Sequence, residues 1–158
     1  MKKLKVGQAV ILILFILYLL LLMKVILFKY PLSMMRHLIA NTSSTLISRV
    51  EGANYIPFKT IFYYFSGNES SRIAIDNILG NILAFAPFGF LVPLLFKKLN
   101  NYKRIFLASF LLSLFFEIIQ LLTSLGVFDV DDIILNVLGT VCGYTVYLII
   151  IKIIKHFR

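Results

Sequence analysis

The chain has 158 residues, is 60% hydrophobic and only 15% charged, and its mean hydropathy is +0.94, which excludes a water-soluble enzyme or binding domain. Its net charge of +9 does not call for a nucleic-acid partner, because the basic residues cluster where a membrane topology would place them. With Cys142 as the one cysteine, no intrachain disulfide can form.

Four runs are long enough to cross a ~30 Å hydrocarbon layer, which takes about 20 apolar residues each. They are Val6–Phe28, Ile75–Phe96, Ile105–Leu125 and Ile133–Ile151. The first exceeds the apolar core of a secretory signal and lacks a small-residue cleavage site, so it reads as a retained helix. The expected fold is therefore an all-α integral membrane protein. It forms a four-transmembrane-helix bundle in one domain, 1–158, with an amphipathic, aromatic-rich connection over about 31–65.

That connection follows the first span. In Pro31–Val50 the residues Met35, Leu38, Ile39, Thr42, Leu46 and Val50 recur at helical spacing, which predicts a helix lying on the membrane surface. Asn54-Tyr-Ile-Pro57-Phe58 comes next, and Pro57 is placed to open a short helix. Phe62, Tyr63, Tyr64 and Phe65 suit the interface, where amphipathic rings collect. Ser66–Ser71 is a plain polar turn.

Charge orients the spans. Lys2, Lys3 and Lys5 precede the first; Lys97, Lys98, Lys103 and Arg104 join the second to the third; Lys152, Lys155 and Arg158 follow the fourth. The positive-inside rule makes their shared side cytoplasmic, with both termini there. The long connection and the acidic turn Gly126–Asp132 then lie outside.

Polar residues mark the candidate site. Four of the seven acids fall between Glu117 and Asp132, and a carboxylate at hydrocarbon depth is costly enough to mark function by default. Asn77 and Asn81 share a face of the second span, Glu117 and Gln120 a face of the third, and Asp132 and Asn136 a face of the fourth. With Asp129 and Asp131 these residues are the candidate ligand-binding set, and Glu117 and Asp132 the candidate acid–base pair. The polar groups concentrate in the outer half, as in a pocket open to the exterior.

Each feature also has a plainer reading. One of the three aspartates is expected to cap the last helix, and the amides can serve as interhelical glue. Gly139 and Gly143, with Gly80 and Ala84, read as helix packing, and Cys142 as a small packing residue between the two glycines. Glu117 resists such accounts: no Lys or Arg lies near it in the spans, so it must be protonated, hydrated, cation-bound or bonded to Asn81, Gln120 or Asn136. Carboxylates with amides offer the hard oxygens that a divalent cation prefers, although no loop signature matches. His37 and His156 lie on opposite sides, which argues against zinc or iron.

The pattern Asn54-x-x-Pro57-Phe58, Asp76-Asn77, Gly80-Asn81, Phe85-x-Pro87-x-Gly89, Glu117-x-x-Gln120, Asp129-x-Asp131-Asp132, Asn136, Gly139 and Gly143 resembles the VanZ family of small bacterial membrane proteins. Many relatives carry an Arg shortly before the acidic turn; here the residues are Gly126-Val127-Phe128. The resemblance implies a place in a bacterial cell membrane and low-level resistance to glycopeptide antibiotics, chiefly lipid-tailed ones such as teicoplanin. The leading expectation is a non-enzymatic protein that engages an amphiphile, the drug or an envelope lipid, without a cofactor. The alternative is an enzyme that modifies a lipid-linked envelope precursor with the Glu117 and aspartate cluster, with or without a divalent metal. The bilayer is the expected partner, and the sequence names no protein partner.

Overall fold

The computed structural model describes residues 6–27, 45–67 and 70–157. Four long helices, α1 (Val6–Leu27), α4 (Ser71–Leu95), α5 (Tyr102–Thr123) and α6 (Val130–His156), are each long and apolar enough to cross a membrane. Two short helices, α2 (Leu46–Glu51) and α3 (Lys59–Phe65), lie in the first connection, and a single 3-10 turn at Lys97–Leu99 joins α4 to α5. No strand occurs among the described residues, so the expected all-helical, four-span architecture holds. Of the expected surface helix over Pro31–Val50, residues 31–44 lie outside the described residues.

Local chemistry sets the helix ends. α4 begins four residues before the expected Ile75, because the Ser70 side chain accepts the Ile73 N–H and caps the first turn. Asn101 caps α5 in the same way through the Lys103 N–H. α6 continues past the expected end at Ile151 to His156. The aliphatic stems of Lys152 and Lys155 let a helix leave the hydrocarbon while still wound. Lys155 and His156 complement the dipole at that end, and Asp131 and Asp132 do so at the other.

The bundle is unevenly packed. α1 is apolar all round and buries only Phe15, Leu22, Ile26 and Leu27, leaving most of its surface to lipid. α4 and α6 instead meet backbone to backbone. A methyl group on Gly139 would fall on the Ile82 carbonyl, one on Gly143 on the Ala86 carbonyl, and one on Gly89 on the Thr140 carbonyl. Small residues allow this approach, which van der Waals contact then rewards. The expected packing role thus holds for Gly139 and Gly143 and not for Gly80. The glycines receive carbonyls from Ile82 and Ala86, and nothing lies within 4 Å of a Cβ built on Gly80. Cys142 is likewise exposed on α6 and is not a packing residue between the two glycines. One apolar core joins Phe15, Phe88, Val92, Ile105, Tyr144 and Tyr147; a second joins Leu22, Ile26, Leu27, Phe85 and Phe116.

Candidate functional site

The acidic turn is bolted to the first connection. Asp129 is the N-cap of α6 and accepts the Asp131 N–H at 2.8 Å. The same carboxylate accepts the Asn54 Nδ2–H at 2.8 Å and the Thr60 hydroxyl at 2.6 Å. The backbones pair as well: Asn54 N–H donates to the Phe128 carbonyl at 2.8 Å, and Val130 N–H to the Asn54 carbonyl at 3.0 Å. Asp131, fully buried, turns to α3. Its carboxylate accepts the N–H groups of Phe58, of Thr60 at 2.8 Å and of Ile61 at 3.1 Å. The first turn of a helix leaves such N–H groups without internal partners, so a carboxylate fits there. Phe58 sits at φ 68°, a left-handed conformation that aromatic residues rarely adopt, and the three-way bond holds it there.

A second tie comes from Arg49 on α2. Its Nη1 donates to the carbonyls of Leu121 and Leu122, at 2.8 and 2.7 Å, in the last turn of α5. A cation at a helix C-terminus both caps free carbonyls and opposes the dipole.

Beneath the turn lies Glu117, 1% exposed, whose Oε2 accepts the Asp129 N–H at 2.8 Å. Asn81 of α4 donates to Asp132 of α6 at 2.6 Å. Deeper, Asn136 donates to the Ser113 hydroxyl at 2.9 Å, and the Ser109 and Thr140 hydroxyls meet at 2.7 Å. Thr140 lies ten residues into α6, about 15 Å along it and so near the middle of a ~30 Å core. At the far end the Tyr144 hydroxyl donates to Asn100 at 2.8 Å. Polar contacts therefore run the length of the α5–α6 seam, and the expectation that they stop in one half is corrected. Steps of four align Asp132, Asn136, Thr140 and Tyr144 on α6 and Ser109, Ser113 and Glu117 on α5.

The interior is rich in acceptors. Gln120 donates through Nε2 to the Ile26 carbonyl at 3.0 Å, while its Oε1 is buried without a partner. Asn136 Oδ1 is buried and unmatched in the same way. Swapping the Asn136 amide would not help, because its nitrogen would then be the unmatched atom. Such buried oxygens suit donors such as hydroxyl, amide N–H or ammonium groups. Among the described residues no three His, Cys, Asp or Glu side chains gather into a metal-holding group. Asn77 stands apart, donating to the Ile73 carbonyl of its own helix at 2.9 Å.

A model of the VanZ/LLP1 family matches residues 15–152, a span that includes both ties and the whole polar seam. The chain belongs to the VanZ family. It is similar to Protein VanZ of Enterococcus faecium, with 35% identity over 83 residues, which are 52% of this chain and 48% of that one. The chain thus covers about half the length of that relative. No solved structure matches it.

Within this VanZ chain the residues of the motif pattern fall into three groups. Asn54, Asp129 and Asp131 tie the connection to α6. Gly89, Gly139 and Gly143 let α4 and α6 close. Asn81, Glu117, Gln120, Asp132 and Asn136 supply polar atoms to the interior. Sequence reasoning passed over Thr60, Arg49, Ser109, Ser113 and Thr140. The four-residue steps from Ser109 to Glu117 and from Asp132 to Tyr144 are the signal that would have found the last three.

Proposed function

We propose that this VanZ protein contributes to low-level resistance against lipid-tailed glycopeptides such as teicoplanin by engaging an amphiphile at the acidic end of the bundle. That end faces the cell exterior in this reading, because Lys97, Lys98, Lys103, Arg104, Lys152 and Lys155 lie at the opposite end, the side that the positive-inside rule assigns to the cytoplasm. The observation that carries the proposal is the acceptor-rich interior. Carboxylates of Glu117 and Asp132 lie one helical turn from the unmatched oxygens of Gln120 and Asn136. Above them, α3 and its approach expose Ile56, Phe58, Phe62 and Phe65. A head group carrying N–H and O–H donors meets the acceptors, while an acyl tail stays in lipid beside the aromatics. Asp129 and Asp131 act by holding α3 in place. The reading requires no bond to be broken.

Expression in a susceptible Gram-positive host tests it. Protection is expected to be greater against teicoplanin than against vancomycin, which lacks the tail. Retention of labelled teicoplanin by the purified protein would assign the drug as ligand; protection without retention would assign an envelope lipid. Equal protection against both antibiotics, or none with the protein present in the membrane, would sink the proposal.

A further inference from the structure

The α5–α6 seam has a regular register. Asn136 meets Ser113 and Thr140 meets Ser109, so a four-residue step along α5 is answered by a four-residue step along α6 in the opposite direction. One further step toward the acidic end sets Glu117 opposite Asp132. Asn81 Nδ2 donates to Asp132 and the Asp129 N–H to Glu117, and both of these donors are neutral. Beneath the two acids Asn136 is fully buried, and its Oδ1 has no donor. Resting on the amphiphile reading above and narrowing it, we infer that the head group taken here is a primary ammonium.

Charge, donor count and depth argue for that class. The seam carries two acids and no basic residue, since α5 has none after Arg104 and α6 none before Lys152. Arg49, at the end of α5, is engaged by the carbonyls of Leu121 and Leu122. A cation is therefore the natural complement of the acid pair. An ammonium brings three N–H donors, which match Glu117, Asp132 and Asn136 Oδ1, whereas a hydroxyl brings one donor and no charge. A divalent cation of the magnesium kind keeps several waters around itself, and Glu117 and Asn136, at 1% and 0% exposure, give those waters no place. Glu117 lies six residues, about 9 Å, before the end of α5, and Asp132 two residues, about 3 Å, into α6. An amphiphile carries its head group near that depth, and the partly exposed Asp132 marks the way in.

The test is native mass spectrometry of the full chain with phosphatidylethanolamine and with phosphatidylcholine of the same acyl chains. The two share tails, phosphate and charge, but only the first carries N–H donors. Retention of phosphatidylethanolamine is expected to be several-fold greater, falling to parity in Asp132→Asn. Glu117→Gln serves if Asp132→Asn fails to fold. Teicoplanin before and after N-acetylation forms a second arm, and a preference for the amine form in that arm alone assigns the drug rather than a lipid as the source. Parity in both arms for the folded wild type, or a preference that survives a folded variant, would overturn the inference. So would a melting temperature raised by magnesium alone and no longer raised in Asp132→Asn, which would make this a metal site. Protection without an ammonium preference sinks this inference alone, and the preference without protection sinks the resistance proposal alone.

Discussion

Glu117 is the residue on which the site reading turns. Glu117→Gln keeps the shape and an oxygen for the Asp129 N–H, so that bond should weaken by about 1 kcal/mol, the difference between a charged and a neutral hydrogen bond. Under the proposed function resistance should nonetheless be lost, because a donor-bearing head group would exchange a charged acceptor for a neutral one. Minimum inhibitory concentration and melting temperature measured side by side decide the matter; full activity in the variant would make the carboxylate structural. The neighbouring aspartates should behave differently from each other. Asp131 uses both oxygens on three backbone N–H groups, and Asn in its place would point an N–H₂ at those donors. A buried donor left unpaired costs about 1–3 kcal/mol, so Asp131→Asn should accelerate amide exchange at Phe58, Thr60 and Ile61. Asp129→Asn keeps the cap and faces a hydroxyl that can reverse its role, so its effect should be small. Unchanged exchange in Asp131→Asn would refute the bolted turn. The sequence announced these acids as special through their placement alone. It could not announce that Asp131 serves α3, because backbone N–H groups leave no trace in the residues that carry them.

At the scale of elements, hydropathy located every span, since length and apolar content are what a bilayer demands. The ends escaped it. Ser70 caps a helix from within a polar turn, and lysine stems prolong α6 beyond the hydrocarbon. The facing of α4 on α6 was legible only on one side. Gly139 and Gly143 declare a close approach, but the partner contributes carbonyls, which every residue owns, so Ile82 and Ala86 carried no mark. Gly143→Leu should therefore wedge the two helices apart, at a cost of about 1–3 kcal/mol or more from overpacking. Its melting temperature and membrane abundance should fall together with resistance, the opposite order to Glu117→Gln. A variant that melts like the wild type would show that the seam is looser than described.

For the whole molecule, the proposed orientation rests on charge and is checked by labelling intact cells. In a Cys142→Ser background, Ser70→Cys next to α4 should react with an impermeant thiol reagent, and Asn101→Cys beside the basic turn should not. Reversed labelling would put the acidic end in the cytoplasm and remove the proposed route to an external amphiphile. The bolt between Asn54 and Asp129 also fixes an order of events during biosynthesis. Its two halves are 75 residues apart in the chain. At about 5–20 residues per second, the segment around Asn54 leaves the ribosome roughly 4–15 seconds before its anchor exists. Through that interval α3 lacks the carboxylate that caps it, and α4 lacks the helix that closes against it. Maturation therefore waits on the last span, and a chain truncated before Asp129 should be recognised by quality-control proteases as unfinished, even with three of its four helices made.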